Sequence, residues 1–187
     1  QRALVIGAEG LSATVLSGFA AMMLIDPAGC QPFDKKRQGQ QLGEGYPAVL
    51  LEKESGAERP GAFLVDGENL CDIHHMTSAK PDGNSMYEVM LRSLTKTKLS
   101  PSQVIAIKAH GTGSLDNDTA EANAIHTLFN KQHPPVTVLK RYLGHTMGAC
   151  GVMELVTLLA CLRAGYIPAT AGFKDPDPQL KLSPLQK

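Results

Sequence analysis

The chain has 187 residues, with 18 basic against 18 acidic side chains and an apolar fraction of 43%. That length carries one substantial hydrophobic core, and zero net charge with both signs interspersed excludes the basic footprint of a nucleic-acid or anionic-membrane binder. The cysteines Cys30, Cys71, Cys150 and Cys161 form no C-x-x-C pair, which points to a reducing, cytoplasmic setting rather than a disulfide scaffold.

In chain order, Ala3-Leu4-Val5-Ile6-Gly7 reads as a short buried strand, and Thr14 to Leu24 as a helix with Leu16, Phe19, Ala20 and Met23 on one face. Turn-forming and charged residues make 26–41 a loop, and Gly43-Glu44-Gly45 leads into a second buried strand, Ala48 to Leu51. Residues 53–61 are the clearest connector, after which Phe63-Leu64-Val65 resumes strand character. An irregular stretch from Asp72 to Gly83 precedes a helix, Ser85 to Lys96, with Met86, Val89, Met90 and Leu94 inward. The run Val104 to Ala109 is a strand that delivers His110. Asp118 as N-cap, with Glu121 three residues on, forms a capping-box pattern for the helix bearing Ile125, Leu128 and Phe129. A further strand, Val136 to Leu139, delivers Lys140 and, five residues later, His145. The segment Thr146 to Leu162 is apolar nearly all round and predicts a helix buried on every side. It is too short to span a bilayer and contains Glu154, whose carboxylate needs a cation, for which Lys140 is the candidate. The proline-rich tail from Pro168 reads as an extended surface segment.

Two histidines and a lysine thus stand where apolar runs give way to glycine-containing turns. Such junctions, at the carboxyl ends of strands, open into the crevice where α/β sheets bind ligands, and Gly111 and Gly113 let the backbone approach closely. Two of them predict one shared site. His74, His126 and His133 are read as ordinary surface or core residues, and the histidine spacing offers no compact ligand set, so no metal is expected.

The block His110-Gly111-Thr112-Gly113-Ser114 with Asp118 and Glu121, and the block from Lys140 through Gly144-His145 to Gly148-Ala149-x-Gly151, resemble signature blocks of the β-ketoacyl-acyl carrier protein synthases. Phe33-Asp34-x-x-Arg37 with Leu42-Gly43-Glu44-Gly45, and Asp72-x-x-His75-x-Thr77, resemble two more blocks of these condensing enzymes. The wording around Lys140-Arg141-Tyr142 is similar to that of bacterial aryl-polyene or type II synthases. The resemblance implies an α/β protein with the thiolase-like layered α/β/α/β/α fold, incomplete in this chain. Residues 1–52 would be a remnant of the N-terminal half and 61–187 an incomplete C-terminal half, supplying one of two five-stranded sheets nearly whole. A last helix with one face broadly exposed to solvent would overturn this architecture.

The same resemblance implies a decarboxylative Claisen condensation of an acyl thioester with malonyl-acyl carrier protein, in fatty acid or polyketide synthesis. His110 and His145 would hold the enolate oxygen, with Lys140 biasing the field toward the anion and Glu154 supporting it. Thr112 and Ser114 would lie along the pantetheine arm, and Asp72, His75 and Thr77 near the malonyl carboxylate. No cofactor is implied, because the substrates ride on the phosphopantetheine of the acyl carrier protein. That carrier is the expected partner, beside a homodimer or ketosynthase heterodimer mate, and Lys35-Lys36-Arg37 is either a solvated loop or a docking patch for it. The family's nucleophilic cysteine, in an A-C-S-type motif before the equivalent of Ala3-Leu4-Val5, has no counterpart here, nor has its G-F-G-G-T-N block. Gln40 stands where an aromatic residue is usual. Cys30, in a loop before Pro32-Phe33-Asp34, is not that nucleophile, and Cys150 and Cys161 are expected to be small apolar fillers. The chain alone is expected to be inactive. A chain-length-factor-like partner subunit is the alternative, although such a subunit has no chemical reason to keep the histidines and lysine.

Overall fold

The computed structural model describes residues 1–53, 61–75 and 78–186. Strand β1 (Arg2–Ile6) pairs antiparallel with β2 (Ala48–Glu52), in a register that sets Arg2 opposite Glu52 and joins them by an ion pair at 2.6 Å. Between them lies helix α1 (Ala13–Ala21), started by the Ser12 hydroxyl, which accepts from Val15 N–H at 3.2 Å. All three elements were expected to be buried or half-buried, yet Leu4 and Ile6 are 63% and 62% exposed and α1 has no buried residue. Phe63-Leu64-Val65 is exposed and forms no strand, and the connector at 54–60 lies outside the described residues.

The core gathers around a second, parallel pair, β3 (Ile107–Lys108) with β4 (Val136–Thr137). Both strands are shorter than their apolar runs, and among the described residues each sheet has two strands, not the nearly whole sheet expected. Helix α3 (Leu115–Phe129) covers the pair with Ala122 and Ile125, and α2 (Asn84–Thr97) packs on α3. Small residues make these approaches close: Ala120, Ala122 and Ala124 are fully or nearly fully buried. Phe33, from the 26–41 loop, completes the cluster together with Val136, Val138, Leu180 and Leu182.

The tail is therefore not a surface segment. Leu180 and Leu182 alternate with exposed Lys181, as in a half-buried extended chain, and Leu185 N–H donates to Val136 C=O at 2.8 Å. The Phe33-Asp34-x-x-Arg37 block anchors it. Asp34 accepts from the N–H groups of Lys174 and Asp175, both at 2.7 Å, and buried Arg37 pairs with Asp177 at 2.6 Å. Arg37 is thus engaged in the fold, while Lys36, paired to Asp175, stays exposed.

Short helix α4 (Lys140–Leu143) follows β4, and α5 (Cys150–Arg163) follows a turn of 3-10 helix, Met147–Ala149. Helix α5 is buried only at Cys150 and Glu154, while Leu155 and Leu162 are 42% and 44% exposed. The sequence predicted burial all round. The described residues cover only the side that carries Glu154. No helix among them is long and apolar enough to cross a membrane.

Candidate active site

Strand β3 ends two residues before His110, and β4 three residues before Lys140, so parallel pairing brings both junctions to one edge. His145 is placed through its backbone. Its N–H donates to Gln41 C=O at 2.6 Å and its C=O accepts from Gly43 N–H at 3.1 Å. Gly43 is required there because a Cβ would lie 2.3 Å from Leu143 O. The Gly43-Glu44-Gly45 turn thus does more than permit strand packing, since it pins the segment that carries a site histidine.

The rings of His110 and His145 meet edge to face, with centroids 5.1 Å apart and planes at 83°. Lys140, wholly buried, places its Nζ 3.5 Å from His110 Nδ1 and 2.9 Å from Cys150 Sγ, and forms an ion pair with Glu154. An ammonium only donates, so Nδ1 of His110 is the acceptor and the neutral ring carries its hydrogen on Nε2. Both rings are neutral at physiological pH. Burial, reinforced by the Lys140 charge, pushes His110 down to about 3 and His145 to about 4. The pair is thereby an N–H donor set beside a buried cation, suited to an oxygen that gains negative charge.

The expected partnership of Glu154 with Lys140 is present, and a second lysine joins it. Lys108 pairs with the other carboxylate oxygen, and the Cys150 thiol lies 3.1 Å from the first. Burial alone would raise the Glu154 pKa, but the two lysines outweigh it and hold the carboxyl below its usual range. Cys150 is thus part of a polar cluster rather than an apolar filler, and its thiol is pushed up by burial. Sequence signals for both newcomers exist. Lys108 and His110 are two apart, on one side of an extended chain, and Cys150 and Glu154 are four apart on a helix.

Asp118 and Glu121 do not form a capping box. The helix begins at Leu115 with Ser114 as N-cap, and both acids lie deeper in it. Asp118 accepts from Phe33 N–H at 2.8 Å and Gly113 N–H at 3.2 Å, and Glu121 accepts from the N–H groups of His110 and Gly111 at 2.6 and 2.8 Å. They clamp the turn that aims His110. Glu121 is pushed up to about 7 by burial, against those two hydrogen bonds.

Thr112 is buried in the same turn, its hydroxyl 2.9 Å from that of Ser114. Asp72 accepts from His74 N–H at 3.0 Å within its own irregular segment, and His75 is exposed. Thr77 lies outside the described residues. The structure therefore gathers His110, Lys140, His145 and Glu154, sets Thr112 and Ser114 in the adjoining turn, and records Asp72 bonded locally. Cys30 is fully buried, and burial pushes its thiol up to about 11, so it is no thiolate. Among the described residues no cluster of three or more His, Cys, Asp or Glu side chains could hold a metal ion.

Residues 64–174 match the Beta-ketoacyl synthase, C-terminal domain. The chain belongs to the β-ketoacyl synthase family. It is 33% identical to 3-oxoacyl-[acyl-carrier-protein] synthase 2 of Mycobacterium bovis over 92% of this chain and 44% of that protein. Its structure superposes on the ishigamide ketosynthase/chain length factor with a TM-score of 0.86 at 27% identity, covering 99% of this chain and 46% of the other. A second ketosynthase, solved in complex with its type II polyketide synthase acyl-carrier protein and bound to the hexaketide, superposes at 0.87 with 27% identity, covering 98% and 49%. The fold is thus the layered thiolase-like arrangement of the ketosynthases, incomplete in this chain, despite the exposure of α5. The chain spans about half the length of the relatives it matches, and its exposed apolar faces accompany that half coverage.

Proposed function

We propose that this chain supplies the enolate-holding part of a decarboxylating condensing site, acting on malonyl units borne by an acyl carrier protein in fatty acid or polyketide synthesis. The observation that carries the reading is the pair of neutral imidazoles of His110 and His145, 5.1 Å apart, beside the buried Lys140 ammonium. Decarboxylation breaks the bond between the malonyl carboxylate and its neighbouring carbon, and the released electron pair delocalises onto the thioester oxygen. The Nε2–H of His110 and the ring of His145 hold that oxygen, each donor contributing about 3 kcal/mol if oxyanion-hole losses are a guide. Lys140 favours the anion without giving up its proton. The carbanion then attacks the carbonyl of an acyl-cysteine, displacing the thiolate. By likeness to the family that cysteine has no counterpart among residues 1–187, where Cys30 is buried with its thiol pushed up, and we infer that the chain alone has no condensing activity.

By likeness to the family, Thr112 and Ser114 lie along the pantetheine arm, and Asp72, His75 and Thr77 near the malonyl carboxylate. No cofactor of its own is needed. Residues 1–52 and 61–187 are read as parts of the two thiolase-like halves of a cytoplasmic protein, and a homodimer or ketosynthase heterodimer is the working assembly. In an assembled ketosynthase containing this chain, His110→Ala or His145→Ala is expected to lower release of labelled carbon dioxide from malonyl-acyl carrier protein about 100-fold. Acyl loading, read by mass spectrometry of the acylated peptide, should remain largely intact. Equal loss of both steps would assign the histidines a structural role.

A further inference from the structure

Glu154 is bound by two lysines rather than one, and the two differ in surroundings. The Lys140 side chain is 1% exposed and Glu154 2%, so that pair is sealed, whereas Lys108 is 26% exposed and reaches the carboxylate from the strand that carries His110. A sealed lysine–glutamate pair has no net charge, so the carboxylate offsets part of the Lys140 field at the two rings. The third member changes the sum: two ammonium groups and one carboxylate leave one positive unit. We propose that Lys108 is a positioning residue of this site, holding one oxygen of Glu154 so that the other stays on Lys140, and giving the lysine–glutamate–lysine bridge its net positive charge beside the two histidines. The inference rests on the condensing reading for its catalytic consequence, but not for its geometry.

Each group facing the rings can be named. Lys140 stands on α4, Lys108 on β3, Glu154 and Cys150 on α5, and the rings face each other, while Glu121 of α3 binds the backbone N–H groups at His110 and Gly111. Of these, Lys108 and Lys140 oppose a proton on both rings, and Glu154 favours one. Removing Lys108 while keeping the sealed pair takes away one of the two opposing charges and none of the favouring one. The histidines should then take up protons more readily as the pH falls; at physiological pH both rings stay neutral, and what the site loses is positive field beside the oxygen they hold.

The test is a nuclear magnetic resonance titration of the two imidazoles in the 187-residue chain carrying labelled histidine. In Lys108→Met the midpoints of His110 and His145 should rise by about one pH unit, a roughly tenfold gain in proton affinity, and Lys108→Arg should restore them. A role confined to filling space would leave the titrations where they are in the unaltered chain. Unmoved midpoints in a Lys108→Met variant with a native-like amide spectrum would overturn the proposal. Should that variant fail to fold, the unaltered chain decides: the Lys108 ammonium nitrogen should correlate through its hydrogen bond with the Glu154 carboxyl carbon, and absence of that correlation overturns it. Neither measurement uses a malonyl thioester. Failure of the condensing reading is seen only in carbon dioxide release, so the two are distinguishable.

Discussion

Glu154 is the residue on which the site's electrostatics converge, because a carboxylate only 2% exposed receives two ammonium groups and a thiol. Breaking such a cluster from one side costs more than the pair contributes, since the partner charge is left without compensation. Glu154→Gln is therefore expected to destabilise the chain by about 3–5 kcal/mol, read by urea unfolding. Lys140→Met combined with Glu154→Leu should recover most of that loss. The histidines predict a pH dependence of definite sign. Their folded values, about 3 and about 4, lie below the unfolded value of 6.5, so the unfolded chain binds protons first as the pH falls. Their contribution is complete above pH 6.5 and is lost as the pH falls from there, down to about 4 for His145 and about 3 for His110. Glu121, raised to about 7, acts oppositely, so a difference measurement is needed. Relative to a His110→Gln/His145→Gln variant, the unaltered chain should lose stability between pH 7 and pH 5, seen as a fall in the difference between their Tm values. Of these residues, His110, His145, Lys140 and Glu154 were legible in the sequence, because each interrupts an apolar pattern at a strand end or in a helix. Lys108 was not singled out, because a lysine at a strand end is ordinarily solvated, and only the position of Glu154 across the site gives it a partner.

At the scale of elements, α2 and α3 follow their apolar periodicity, and the strands do not. Val104 to Ala109 is an apolar run long enough for a strand, yet ladder pairing covers only Ile107 and Lys108, opposite Val136 and Thr137. The tail was misread for a different reason. Prolines and charged residues dominate its composition, and the two-residue alternation of Leu180 and Leu182 is too short to stand out, although both seal the core against Phe33 and Val136. Leu182→Ala should cost about 2–5 kcal/mol as a buried truncation, and the urea midpoint of the chain would fall with it. A change within about 0.5 kcal/mol, the range of surface substitutions, would return the tail to the surface. Asp118 and Glu121 illustrate a further limit of local patterns. Their spacing resembles a cap, but the tertiary neighbours Phe33, His110 and Gly111 take their carboxylates instead.

Across the whole molecule, four ordered blocks made the family legible, and three find a physical reason in the fold: Phe33 to Gly45 as core plug, tail anchor and backbone clamp, the His110 turn, and the Lys140–His145 turn, whereas the Asp72 block lies partly outside the described residues. The burial of β1, β2 and α5 was not legible in the same way, because apolar sequence reports the need for a neighbour and not whether this chain contains it. Leu4, Ile6, Leu50 and Leu162 remain broadly exposed in a chain that spans about half of its relatives. The central claim is that His110 and His145 hold one oxygen between them. The most direct test is the rate of carbon dioxide release from malonyl-acyl carrier protein by the assembled ketosynthase, measured for both single alanine variants and for the double variant. Two donors acting as a unit on one oxygen predict that each single substitution costs about 100-fold and that the double costs far less than the product of the two. Undiminished release in the double variant would contradict the account.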